Sequence, residues 1–338
     1  MRNSKVDLLR SLAILLVILA HASPPNWLMQ VRTFDVVLLF LLAGGGISLS
    51  RKSNLTHSKT TESNISAFLR RGRKLILPAY GVTVGYWLTV ELACLALRRD
   101  FAYSLPQLLY ALGFTMRGLG FIWVAIIFFW GTLLGPFFLQ LSACIRSNLA
   151  FAGLLAGGFA LNQLLWQLNQ RLATADAPLW LQLLLNDYLN QWLAYLLVIL
   201  AGVRLLEEKN FKYHLLALGV IALMLGQCWL GCGFCPNNYK YPPHLYYLGY
   251  GLSVAMLLWG LFTPSIHMRW LEWFSRHSWD IYLVHILFYV GTVFLHHWMA
   301  RYVVVLAGSI VTIILLEAVK AKLRYANRTP MAYKVGPG

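Results

Sequence analysis

Long apolar runs separated by short polar segments recur from one end of the chain to the other. Each run approaches the ~20 residues that a helix needs to cross a bilayer. The pattern predicts an all-α fold, a polytopic transmembrane helix bundle of about ten helices. The predicted spans are approximately residues 6–22, 34–50, 75–97, 119–140, 148–166, 188–206, 212–231, 245–263, 278–299 and 302–320.

The composition agrees with a membrane environment, since 59% of the 338 residues are hydrophobic and 12% are charged. In soluble domains about a quarter of the residues are charged. No polar stretch is long enough for a second domain, so residues 1–338 should form one membrane domain, with residues 321–338 as a short cytoplasmic tail. The first apolar run carries charges and lacks a small-residue cleavage site, so we expect it to be retained rather than removed as a signal peptide.

The net charge of +16 is distributed in short segments between apolar runs, which indicates membrane topology and no nucleic-acid partner. With the N-terminus inside, 20 of the 28 Lys and Arg residues lie in inner segments and seven in outer ones, with Arg10 left inside the first span. Because basic residues accumulate on the cytoplasmic side, both termini are predicted to be cytoplasmic. Of the five Cys, Cys228, Cys232 and Cys235 lie near one loop, where a disulfide or a metal is the minor alternative to free thiols.

The first span, VDLLRSLAILLVILAH, contains three polar groups on related faces of one helix. At 100° per residue, Arg10 and His21 lie within about 20° of each other, and Asp7 lies within about 60° of Arg10. Charges inside a membrane cost several kcal/mol unless they face a cavity or a partner, so the stripe predicts a functional site. The alternative is that Asp7 and Arg10 anchor the helix at the inner interface while His21 caps its outer end.

The segment from Arg51 to Lys74 is strongly basic, with Glu62 as its one acid, and it ends in FLRRGRKLILP. Arg70 and Arg73 are three residues apart, so on a helix both can contact one ligand. The planar guanidinium group binds phosphate through two parallel hydrogen bonds, which makes an anionic ligand a reasonable expectation. Simple anchoring of the inner loop is the alternative.

Other polar positions give weaker signals. Asp280 and His285 lie about 140° apart on a helix, so they should not face the same small site. Glu91, an acid in the third predicted span, could orient His21 if the two helices touch. Pro242 and Pro243 are flanked by tyrosines that could form a wall for sugar stacking or an interfacial aromatic belt, namely Tyr239, Tyr241, Tyr246 and Tyr247.

Four segments together resemble the acyltransferase 3 family of membrane acyltransferases. They are the R-x10-H pattern of Arg10 and His21, the RxxR of Arg70 and Arg73 followed by Pro78, the segment KYPPHLYY at residues 240–247, and WDIYLVH at residues 279–285. The resemblance covers essentially the whole chain. The chain departs from the family pattern at Ser11, where Gly is common, and in LLAGGGIS, where a Ser-Gly pair is frequent.

The resemblance implies an O-acyltransferase, most simply an O-acetyltransferase, of the bacterial cell membrane. The donor would be acetyl-CoA or another acyl-CoA acting as co-substrate, with no bound cofactor or metal. The acceptor would be a hydroxyl of a cell-surface carbohydrate, such as a polysaccharide, an exopolysaccharide or a lipid-linked sugar. No hydrolase-like domain follows the last span, so we expect the protein to complete the reaction alone or with separate polysaccharide-assembly proteins.

The resemblance and the helix geometry together place the expected site residues in three groups. His21 and Arg10 are the expected catalytic residues, with His21 acting as general base or as a transient acyl carrier. Arg70, Arg73 and Arg10 are expected to bind the donor phosphates. The residues expected to line the cavity are Asp7, Glu91, Tyr241, Pro242, Pro243, Tyr282 and His285.

Two other function classes are compatible with polar groups inside the membrane. A proton-coupled secondary transporter also displays intramembrane Arg, His and Asp, but the sequence shows no inverted repeat. A glycan-assembly protein without acyl transfer would give the polar stripe of the first span no role. An acyltransferase consumes acetyl-CoA and leaves an esterified sugar, whereas a carrier leaves both chemically unchanged.

The topology can be tested directly. A reporter fused after Lys334 should be cytoplasmic, and a cysteine introduced at Gln182 should react with an impermeant thiol reagent from outside the cell. Reporter activity on the outer side would reverse the predicted orientation.

Overall fold

The computed structural model describes residues 3–57, 64–115, 117–118, 121–175, 177–231, 233–262, 268–292 and 294–326. The structure is all-helical, with 83% helix and no strand among the described residues, so the predicted fold class is confirmed. Its α-helices are α1 (Ser4–His21), α2 (Asn26–Arg32), α3 (Asp35–His57), α4 (Asn64–Ala96), α5 (Leu105–Leu112), α6 (Trp123–Leu133), α7 (Gly135–Cys144), α8 (Asn148–Thr174), α9 (Leu179–Gln182), α10 (Gln191–Glu207), α11 (Phe211–Leu230), α12 (Leu245–Leu261), α13 (Arg269–Gly291) and α14 (Trp298–Ala326).

Six helical segments of the described chain are long and apolar enough to cross a membrane, or seven if the bent pair α6–α7 counts as one span. Pro136 lies in the first turn of α7, where its missing N–H and fixed φ accommodate the 54° bend. Helix α1 carries three charged residues, Lys5, Asp7 and Arg10, and α12 has only 17 residues. Helix α1 is therefore too polar, and α12 too short, to be counted among these spans. The count of about ten spans and the cytoplasmic termini therefore stay predictions.

Several predicted boundaries differ from the structure, among them those of α4, which begins at Asn64 rather than at residue 75, and of the last two helices. Helix α13 covers Arg269–Gly291 rather than residues 278–299, because its polar first half, RWLEWFSRHSWD, is helical as well. Helix α14 continues to Ala326, so residues 321–326 extend the last helix instead of forming a tail. Residues 327–338 of the expected tail lie outside the described residues.

Helix α3 lies at the centre of the bundle. In the span at residues 26–51, most of which is α3, 72% of the apolar stretch is buried inside the protein. The corresponding buried share is 17% for α14 and 22% for α4, α8 and α11. Its contact with α10 is made by backbone, because a Cβ at Gly44 would lie 1.9 Å from the Ile199 carbonyl oxygen and a Cβ at Gly202 would lie 1.9 Å from that of Leu41. Small residues allow this close approach between membrane helices.

Helix α1 packs against α13 through polar contacts near its N-terminus. The Ser275 hydroxyl donates to the Asp7 carboxylate at 2.5 Å, and the Ser11 hydroxyl donates to the Leu271 carbonyl oxygen at 2.8 Å. Ser11, which replaces the glycine common in the acyltransferase 3 pattern, therefore has a structural use here. These bonds fix the rotation of α1 and turn its polar face toward α3 and α13.

Gly202→Ala should weaken the α3–α10 contact, because the added methyl group meets a backbone oxygen that cannot move independently. We expect a loss of about 1–3 kcal/mol or more, measured as a lower midpoint of thermal unfolding in detergent. Gly157→Ala on α8 is the matched control, since a Cβ there meets no atom within 4 Å. It should be neutral or stabilising by up to about 1 kcal/mol. Equal unfolding midpoints for the two variants would contradict the packing argument.

Candidate active site

Three cavities follow one another along α1 and share walls. The inner cavity, of about 320 Å³, includes Asp7 and Arg10. Arg10 also borders the middle cavity, of about 150 Å³, whose other walls include Leu39 and Tyr282. Leu39 and Tyr282 in turn border the outer cavity, of about 40 Å³, which His21 lines. We call this row of adjoining cavities the passage along α1, and Arg10 and His21, the two residues predicted to share a helix face, lie at its two ends.

The middle of the passage is apolar and its ends are polar. Ile14, Leu75, Phe128 and Trp279 line the middle cavity. The guanidinium group of Arg10 lies next to the Leu42 carbonyl oxygen, with 3.4 Å between that oxygen and Nη2. The Arg10 guanidinium group thus lies at the inner end of the passage. The middle section that follows suits an uncharged group better than a charged one.

His21 is the last residue of α1 and its ring orientation is fixed by its own helix. Its Nδ1 lies 2.9 Å from the Val17 carbonyl oxygen. Because a carbonyl oxygen only accepts, Nδ1 carries the proton in this contact and Nε2 carries the lone pair. The ring is therefore prepared to accept a proton at Nε2.

His285 supports the His21 ring from α13. Its Nε2 lies 3.3 Å from His21 Nδ1, and the two rings meet edge to face with centroids 4.9 Å apart. His285 is fully buried and contacts the ring of Tyr282, whose hydroxyl donates to the Phe121 carbonyl oxygen. Asp280 faces elsewhere, with its carboxylate 3.6 Å from Nδ1 of His277. The helical spacing correctly separated Asp280 from His285.

Three buried charges, Arg32, Asp35 and Lys240, lie at the outer cavity. Arg32 forms an ion pair with Asp35, and Lys240 Nζ lies 3.6 Å from Asp35 Oδ1, which also accepts from the backbone N–H of Val36 at 2.8 Å. The three residues are 3%, 0% and 5% exposed. Burial lowers the pKa of Lys240 to about 8, although Asp35 opposes the shift, so its ammonium form predominates at neutral pH.

The sequence contains only an indirect signal for this cluster. Arg32 and Lys240 are two of the seven basic residues in predicted outer segments, where the positive-inside rule makes them exceptions. Asp35 stands at the start of an apolar helix and three residues after Arg32, a spacing that permits pairing. The contact between Asp35 and Lys240 joins residues 205 positions apart in the chain, which no local pattern reveals.

The proposed aromatic wall is smaller than the sequence suggested. Tyr241 lines the outer cavity and packs edge to face on Trp123, with ring centroids 5.4 Å apart. Tyr246 and Tyr247 are fully buried in the bundle, so they form neither a sugar-stacking wall nor an interfacial belt. The Pro242–Pro243 turn is attached to α8, because the Asn162 side chain donates to the Pro243 carbonyl oxygen at 2.8 Å. Neither proline lines the described outer cavity.

The remaining predicted site residues lie away from His21. Arg70 and Arg73 are exposed near the start of α4 and border none of the described cavities, although Leu75 of the same helix borders the middle one. Glu91 accepts from the backbone N–H of Tyr103 at 2.8 Å and so holds the segment before α5. The described partners of His21 do not include Glu91, so the suggestion that this acid orients the histidine has no support in the geometry.

The cysteine cluster shows no metal site in the described part of the chain. Cys228 is a free thiol, the Cys235 thiol donates to the Gly233 carbonyl oxygen, and no group of three or more His, Cys, Asp or Glu side chains there could hold a metal ion. Cys232 lies outside the described residues.

Comparison with known proteins gave one result. The model of the acyltransferase 3 family, described as an acyltransferase domain, matches residues 3–318, nearly the whole chain. The searches of curated proteins and of solved structures gave no match.

The charge cluster predicts an asymmetric response to mutation. Asp35→Asn leaves Arg32 and Lys240 buried without their shared acid, and we expect a loss of about 3–5 kcal/mol in the free energy of unfolding. Lys240→Met leaves one cation and one anion, so its effect should be much smaller. Thermal unfolding of both variants in detergent compares them, and equal losses would contradict the pairing described here.

Proposed function

This chain belongs to the acyltransferase 3 family, and from that premise we propose that it transfers an acetyl group from acetyl-CoA to a hydroxyl of a cell-surface carbohydrate. Membership makes it a membrane acyltransferase. The donor, the acetyl group and the carbohydrate acceptor are our proposal. It is supported chiefly by one observation, the passage along α1 that joins Arg10 to His21.

The shape and polarity of the passage suit a CoA thioester. The nucleotide of CoA is highly charged, whereas its pantetheine arm is narrow and uncharged. Arg10 and His21 are 11 residues apart, which corresponds to about 16 Å along the helix at about 1.5 Å per residue. We assign the phosphates to the inner side, near Arg10, Arg70 and Arg73, and the arm to the apolar middle cavity. The thioester then lies in the outer cavity.

The chemistry follows from the state of the His21 ring. Nε2 removes the proton of the acceptor hydroxyl as that oxygen attacks the thioester carbon. The carbon–sulfur bond breaks, the ester forms, and the CoA thiolate takes the proton back from the imidazolium. The Val17 carbonyl oxygen holds the Nδ1 proton throughout. Attack by Nε2 itself, with a transient acyl-imidazole, is the second route open to the same geometry.

The outer end of the passage suits a carbohydrate acceptor. Tyr241 borders the outer cavity, is 43% exposed and offers an aromatic face on which a sugar ring can stack, while the buried Trp123 supports it edge to face. With His21 at the predicted outer end of α1, we place the acceptor on the outer side of the plasma membrane. Polysaccharide-assembly proteins would then supply or remove the acceptor.

The assignment of binding and chemistry to opposite ends can be tested with two variants of the purified full chain. His21→Ala should abolish acetyl transfer but retain the donor, because the proposed role of the side chain is proton transfer. Arg70→Ala combined with Arg73→Ala should lower donor affinity by about one to two orders of magnitude, because charge-assisted hydrogen bonds are lost. Calorimetry with acetonyl-CoA, a thioether that cannot transfer its group, measures affinity, and mass analysis of surface glycans measures transfer.

His296→Ala is the matched control, because this histidine is exposed and borders none of the described cavities. It should behave like the parent in both measurements. Undiminished acetylation by His21→Ala would refute general-base catalysis by this residue. If the double arginine variant binds acetonyl-CoA as tightly as the parent does, the basic segment is only a topological anchor.

A further inference from the structure

Proton transfer by His21 accounts for only half of the charge that moves in the proposed reaction. When a hydroxyl oxygen adds to a thioester carbon, the electrons of the C=O π bond move to the carbonyl oxygen, which becomes negatively charged. Enzymes commonly stabilise this oxyanion with hydrogen-bond donors fixed in advance, and such stabilisation is usually a large part of catalysis. Such a hydrogen-bond donor must lie in the same cavity as the general base.

The outer cavity contains an excess of buried positive charge. Arg32 and Lys240 face a single acid, Asp35, and none of the three is more than 5% exposed. Because two buried cations share one acid, the cluster keeps a net positive charge beside the cavity, which favours a ligand that carries or develops negative charge.

Of the two cations, Lys240 is better placed to serve a ligand. Arg32 is held by its ion pair with Asp35 and by the Met29 sulfur 3.1 Å from Nη2, which leaves its buried Nε as a single fixed donor. The Lys240 ammonium has three rotatable donors and lies 3.6 Å from Asp35 Oδ1 and 5.3 Å from the centre of the Tyr241 ring. The contact with Asp35 is longer than an ordinary hydrogen bond, and Lys240 borders the cavity that His21 lines.

We infer that Lys240 is the oxyanion ligand of this acyltransferase and that Asp35 and Arg32 are positioning residues for it, an inference that rests on the proposed function. The Lys240 ammonium donates to the thioester oxygen as its negative charge develops. The tetrahedral intermediate then collapses, the C=O bond forms again, and the CoA thiolate leaves with the proton from His21.

Lys240 and His21 line the same small cavity, so both groups can address one reacting carbon. Replacing Lys240 should lower the rate of transfer by about 10²–10³, as for other donors to an oxyanion.

Two CoA thioethers test the inference without turnover and without knowledge of the acceptor. Carboxymethyl-CoA carries a carboxylate close to the position of the oxyanion, and carboxamidomethyl-CoA has the same shape without the charge. The parent protein should bind the carboxylate about tenfold or more tightly than the amide, by calorimetry of the full chain in detergent. Lys240→Met should abolish this preference and leave the affinity for the amide unchanged.

Lys240→Arg keeps the charge and should keep the preference, as should Arg171→Met, which removes an exposed cation on the predicted outer side. Lys240→Met retains the paired Arg32 and Asp35, so we expect it to fold. Equal affinities for the two thioethers in the parent, or a preference that persists in Lys240→Met, would overturn the role of Lys240. If the parent binds neither thioether, the CoA donor of the proposed function is wrong and the inference is lost with it.

Discussion

A charged side chain inside a membrane is tolerated only when it faces a partner or a polar cavity, and this constraint explains the position of α1. Asp7 is bonded to Ser275, Arg10 lies between the inner and middle cavities, and His21 ends the helix at the outer one. The polar stripe of α1 thus determines which face the helix presents to α3 and α13. The side chains between Arg10 and His21 leave the middle of the passage lined mainly by apolar groups.

Helix α3 connects packing with chemistry. Its glycines allow backbone contact with α10, which holds α3 in the centre of the bundle. Its first residue, Asp35, pairs with Arg32 and with Lys240, which lie in other segments of the chain. Leu39, one turn further along α3, lies between the middle cavity and the outer one. A shift of α3 would therefore disturb both the charge cluster and the width of the passage. Rigid packing remote from His21 is in this sense part of the site.

Periodicity and resemblance predicted much of this arrangement. The all-helical fold, the family and the common face of Arg10 and His21 all follow from local patterns. The structure confirms the fold class, and the family match confirms the family. What the sequence could not give are contacts between distant segments. Asp35 with Lys240 is such a contact, and so is Glu91 with the Tyr103 backbone. The burial of Tyr246 and Tyr247 was also missed, because aromatic residues beside a loop have the same composition whether they face the membrane surface or the core.

Under the proposed function, the asymmetry of the passage determines what crosses the membrane. The phosphates of CoA cannot enter the apolar section beside Ile14 and Trp279 without a large desolvation cost, so they remain at the inner arginines. A polar sugar meets the same barrier from the outer side. The uncharged pantetheine arm does not, and it carries the thioester across about 16 Å of helix to His21. The charged outer cluster can then act on a reaction centre that lies away from the nucleotide and among buried side chains, where an ammonium has a larger effect than in water.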